Sequence, residues 1–94
     1  MSDELEPAAP EVDVDLRWLM SHPSGRRIVY RWLEEAGLFS GYFAPEPTVA
    51  AYREGRRAWA VDLLRLIMSR EPRLHTMMVR EAAERAELAM LQRG

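Results

Sequence analysis

The sequence predicts an all-α fold: a small helical bundle of about four helices, with a long C-terminal helical hairpin and an extended N-terminal arm. Three observations predict it. Apolar residues recur at helical spacing through most of the chain. Proline and glycine fall at points where helices open and close. At 94 residues and 48% hydrophobic content, the chain is long enough for one modest core and too apolar to be disordered.

Residues 1–11 are read as an acidic, extended arm, and residues 12–92 as a single helical domain. The arm holds Asp3, Glu4, Glu6 and Glu11 with Pro7 and Pro10, and offers little to bury. A first short helix is expected from Val14 to Ser21, capped by Asp13, with Leu16, Leu19 and Met20 at helical spacing and Trp18 on an adjacent face. His22-Pro23 ends it, because the residue before proline avoids the helical region. A second helix runs from Pro23 or Ser24 to Ala36. Its apolar stripe is Ile28, Val29, Trp32, Leu33 and Ala36, and Gly37 supplies a left-handed stop.

Residues 38–47 form an aromatic loop, in which Phe39, Tyr42 and Phe43 are expected to pack on the helices or on a partner. A third helix is predicted from about Thr48 to Ser69, roughly 33 Å long. Its buried face reads Val49, Tyr52, Trp59, Leu63, Leu66 and Ile67. Gly55 costs that helix about 1 kcal/mol relative to Ala, which points to a close helix crossing there. Pro72 opens a fourth helix, to about Gln92. Its stripe of Leu74, Met77, Met78, Ala82, Ala86 and Ala89 thins along its length, so its far end should project or meet another subunit.

Net charge is −2 but uneven: residues 1–11 carry −4, residues 12–80 carry +3 and residues 81–94 carry −1. All 13 basic residues are Arg. Cysteine is absent, which excludes disulfides and thiolate metal sites. The start lacks a basic-then-apolar leader, and no run approaches a membrane span, so the expected setting is a reducing cytoplasm or a particle assembled there.

The sequence offers no catalytic constellation. His22 and His75 lack a spaced partner, and phosphate-loop, dinucleotide and serine-elbow signatures are missing. The protein is therefore expected not to be an enzyme and to need no cofactor or metal. The informative feature is the arginines. Arg27 and Arg31 share a face of the second helix, and Arg53, Arg56 and Arg57 cluster on the third. Like charges at these spacings repel by about 0.2–0.5 kcal/mol per pair, so something should offset them. Internal salt bridges to Glu34, Glu35, Glu54 or Asp62, and from Asp13 or Asp15, are one reading. An acidic protein surface, including another copy's arm, is a second; a phosphate backbone is a third. Trp18 and Tyr30 lie off the apolar stripes and suit binding anchors. The candidate partner-binding residues are thus Arg17, Trp18, Arg26, Arg27, Tyr30, Arg31, Arg53, Arg56 and Arg57.

The run Asp15-Leu16-Arg17-Trp18-Leu19-Met20-Ser21-His22, then Gly25-Arg26-Arg27, Arg31, Leu33 and Ala36-Gly37, resembles a family of small proteins of tailed, often short-tailed, phages, founded on a Bordetella phage member. Glu54-Gly55-Arg56-Arg57 continues it, and the likeness covers about residues 14–80. It implies a phage-encoded protein of the virion or of its assembly, in the virion or in the host cytoplasm during assembly. It brings no catalytic residues. The implied partner is another phage structural protein, from portal, head or tail, or further copies of the chain. Nucleic acid is the alternative partner, in packaging or regulation, and no membrane is expected.

Overall fold

A computed structural model describes residues 10–39 and 46–93. They form four helices: α1 (Pro10–Met20), α2 (Pro23–Glu35), α3 (Pro47–Arg70) and α4 (Pro72–Arg93). No strand occurs among the described residues. The all-α bundle expected from the sequence is the fold observed.

Every helix begins on a proline. A helix leaves its first N–H groups unpaired, so a residue without one loses nothing there, and its fixed φ already suits the helix. This sets one correction. α1 starts at Pro10 rather than Val14, taking in Pro10 and Glu11, which sequence reading places in the arm. Asp13 is therefore a first-turn residue rather than the cap; the carboxylates of Glu11 and Asp13 there favour the positive end of the helix dipole. Residues 1–9 lie outside the described residues, as do Tyr42 and Phe43.

The helix ends follow from local chemistry. Ser21 Oγ donates to Arg17 O at 2.6 Å, and His22 Nδ1 lies 2.6 Å from Trp18 O. A carbonyl only accepts, so Nδ1 carries the proton. His22 thus closes α1 and gives α2 no side-chain cap. Gly37 has φ +87°, as expected of the stop after α2. Its N–H donates to Glu34 O at 2.9 Å, and Leu38 N–H donates to Leu33 O at 3.1 Å, so two carbonyls of the last turn are satisfied. At the start of α3 the Glu46 carboxylate accepts from Val49 N–H at 2.8 Å.

α2 is the centre of the molecule and touches the other three helices. Met20, Val29, Leu33, Ile67 and Met78 are fully buried, with Leu16, Ala36, Ala60 and Ala82 beside them. Leu19, Leu63, Leu64, Leu66 and Leu74 pack around this core. α2 spans 13 residues, about 20 Å, whereas α3 spans 24, about 36 Å. A short central helix cannot cover a long one, and this corrects the expected face of α3. Val49, Tyr52 and Trp59 are 40%, 65% and 53% exposed. On α2 itself, Ile28 and Trp32 also face outward, at 47% and 50%. The end of α4 projects as expected, with Ala86 and every residue from Glu87 to Arg93 exposed.

The close helix crossing is at Gly25, not Gly55. A Cβ on Gly25 would lie 1.9 Å from Leu19 O, whereas one on Gly55 would meet nothing within 4 Å. The molecule is thin: its extents are 51 × 38 × 15 Å. With helix axes 8–10 Å apart, 15 Å is at most two helices deep, so each helix keeps a face toward solvent.

Candidate interaction surface

The structure divides the sequence-predicted arginines by what they touch. Arg26 is only 4% exposed. Its Nε and Nη2 each donate to one oxygen of Glu81 on α4 at 2.8 Å, and its Nη1 donates to Met20 O at 2.8 Å. This bidentate bond raises the Arg26 pKa against a smaller opposing effect of burial. The same bond holds the Glu81 carboxyl below the usual carboxylate range, with Arg85 and Arg80 adding to the pull. Arg26 therefore serves the fold, tying α1, α2 and α4 together, and does not face a partner. Its neighbour Arg27 does the opposite: it is exposed and bonds only locally, to Ser24 Oγ at 3.2 Å.

A second pair of ion pairs fixes α1 to the α3–α4 junction. Arg70 Nε lies 3.1 Å from Asp13 Oδ1, and Arg17 Nε lies 3.0 Å from Glu71 Oε2. Arg17 thus keeps an exposed side chain but has an internal partner. Asp13 supplies a cross-helix pair, as expected of it, and its partner is Arg70. Trp18 is 66% exposed, with its ring 4.7 Å from that of His22. Tyr30 is half-buried and stacks on Phe39 at 5.1 Å.

The remaining candidates gather on the outer side of α2 and on α3. Arg31 pairs with Glu35 at 2.9 Å, one turn on, and that bond raises its pKa. Arg56 donates to Glu35 O and lies 5.7 Å from the centre of the Tyr52 ring, joining the two helices and covering an aromatic face. Arg57 lines a separate shallow cleft with Glu54, Asp62 and Arg65. Arg53 is exposed on the same helix.

Two clefts meet at Trp32. One, of about 510 Å³, is lined by Trp32, Ala36 and Trp59 with Arg56 and Glu35 at its rim. The other, of about 440 Å³, is lined by Arg27, Ile28, Tyr30, Arg31 and Arg85 with Glu34 and Glu35. Trp32 and Trp59 were read as core, so their apolar cleft is the feature that sequence reasoning missed. The arrangement can grip an apolar side chain beside carboxylates. Among the described residues no three His, Asp or Glu side chains come together as a metal site. No described helix is long and apolar enough to cross a membrane.

The family model of Bbp19-like phage proteins matches residues 16–80, which is 65 of the chain's 94 residues. The motif-based expectation of a phage protein family is thereby borne out. The matched stretch holds Arg26 and both cleft tryptophans and stops one residue short of Glu81. No curated protein and no solved structure matches the chain.

Proposed function

The chain belongs to the family of Bbp19-like phage proteins, and on that premise we propose that it is a virion-associated or assembly protein, acting by binding another phage structural protein rather than by catalysis. The observation that carries this reading is the Trp32–Trp59 cleft. Two indole rings half open to water, with Arg56 at the rim, are the residue types that dominate binding hot spots. Each leaves roughly 100 Å² exposed, and covering both is worth about 5 kcal/mol at 25 cal/mol per Å². That surplus suits a surface completed by a partner, in the virion or in the host cytoplasm during assembly.

Mass spectrometry of purified virions tests the reading. Detection of the protein, and its loss from particles when Trp32→Ala and Trp59→Ala are combined, is the expected result. Absence from virions together with failure to co-purify with any head, portal or tail protein would refute it. A nucleic-acid role has one observation in its favour, the placing of Arg27, Arg31 and Arg85 around one cleft. Three phosphate contacts would give a salt slope of about −2.7 in log–log form. A gel shift at low salt decides: no shift at micromolar protein removes that reading.

A further inference from the structure

Ala51, Glu54, Ala58, Val61, Arg65 and Met68 follow one another along α3 in steps of three and four, the spacing of a coiled-coil seam. At about 100° per residue, the middle of this seam lies about 140° around the axis from the buried Ala60 and Ile67, and about 130° from Trp59. The seam therefore faces away from the core and is distinct from the Trp32–Trp59 cleft. Val61 is half-buried and the other five are exposed. Glu54 and Arg65 line one shallow cleft with Arg57 and Asp62. Among the described residues no ion pair engages any of these four charges.

The seam is symmetric about its own centre. Glu54 lies as far before the midpoint of residues 59 and 60 as Arg65 lies beyond it. The same holds for Ala58 with Val61 and for Ala51 with Met68. Two copies of α3 laid antiparallel, about a two-fold axis at that midpoint, therefore set Glu54 of each against Arg65 of the other. Ala58 meets Val61 between the two ion pairs, and Ala51 meets Met68 outside them. The small central side chains let the helix axes approach to about 8 Å. Arg57 and Asp62 flank the seam one turn from Glu54 and Arg65, so each facing pair extends into a row of four alternating charges. A parallel arrangement would instead set Glu54 on Glu54 and Arg65 on Arg65, and like charges so placed repel.

We propose that α3 pairs with α3 of a second copy of the chain across this seam, forming an antiparallel, two-fold dimer. Such a contact requires one surface to complement itself, and opposite charges at equal distances from the centre supply that. The seam covers residues 51–68, about 27 Å of helix. A single helix pair of that length belongs with the small, transient interfaces, so the dimer is weak. It leaves the Trp32–Trp59 cleft open and stands or falls independently of any role in the virion.

Sedimentation equilibrium of the full chain, from about 10 µM to about 1 mM, reads the association. The chain should pass from monomer toward dimer over that range. Glu54→Arg sets like charges together at both ends of the seam, and so does Arg65→Glu. Each should weaken the dimer about tenfold or more. Mixing the two variants brings opposite charges together again and should restore association to the level of the unmodified chain, which a misfolded variant could not do. Arg93→Glu changes the net charge as Arg65→Glu does, but outside the seam, and should leave association unchanged. A chain that stays monomeric throughout the range overturns the proposal. So does a dimer that survives both charge reversals, or a mixture that shows no recovery. Weakening by Arg93→Glu equal to that by Arg65→Glu would assign the effect to net charge and overturn it as well.

Discussion

Replacing Glu81 with alanine should cost the protein a substantial part of its stability. The substitution strips two hydrogen bonds from Arg26, whose side chain is 4% exposed. Removing one partner of a buried pair costs about 3–5 kcal/mol, because the other charge is left uncompensated. A domain of this length holds roughly 5–14 kcal/mol in total. The change thus removes about a fifth or more of it and lowers Tm by at least about 12 °C. Urea unfolding followed by far-UV circular dichroism gives the number. A second variant tests the cause: Arg26→Met with Glu81→Leu removes both charges and should recover much of the loss. It should retain a deficit of about 1–3 kcal/mol, since Arg26 Nη1 no longer bonds Met20 O. If Glu81→Ala costs less than about 1 kcal/mol, as an exposed pair would, the reasoning is refuted.

Acid should act through the same pair. Glu81 has a lowered pKa in the folded chain, so its contribution is fully present above its unfolded pKa of about 4.3 and is lost as pH falls through the lower folded value. The acid-unfolding midpoint of the Arg26→Met, Glu81→Leu variant should accordingly show a weaker pH dependence in that range. The two glycines of the repeated Gly-Arg-Arg should respond oppositely. Gly25→Ala pushes a Cβ into the Leu19 carbonyl and should destabilise by about 1–3 kcal/mol or more, whereas Gly55→Ala enters open space and should stabilise by about 0.5–1 kcal/mol. Paired urea midpoints check both. Trp32→Ala should lower the stability of the free chain by less than a core substitution would, yet weaken partner binding by 2 kcal/mol or more, about 30-fold; calorimetric titration against the captured partner reads this directly.

Much of the fold was legible because local chemistry decides it. Proline at Pro23 and Pro72 opens helices, Gly37 closes one, and Leu74, Met78 and Ala82 hold the spacing of a buried stripe that then weakens. Arg26 was not legible. Beside Arg27 in a Gly-Arg-Arg run it carries the same local signal, and the carboxylate that separates the two stands 55 residues away on α4. Since α2 turns about 100° per residue, adjacent arginines take different surroundings, and only the packing says which faces inward. A joint substitution of Arg26 and Arg27 would mix a fold defect with a surface defect, so the two must be changed separately.

The tryptophans fail for a different reason, and the reason bears on function. Helical spacing identifies residues that share a face, but it says nothing of whether another helix is long enough to cover that face. Trp59 sits one residue before the buried Ala60, and Trp32 one before the buried Leu33, so both stripes are real and both extend beyond the core. With a central helix about 20 Å long, that extension has no cover among the described residues of its own chain. The same residues that read as core by period are left as an open apolar cleft with arginines at its edge. What completes the apolar face must then come from outside the described helices.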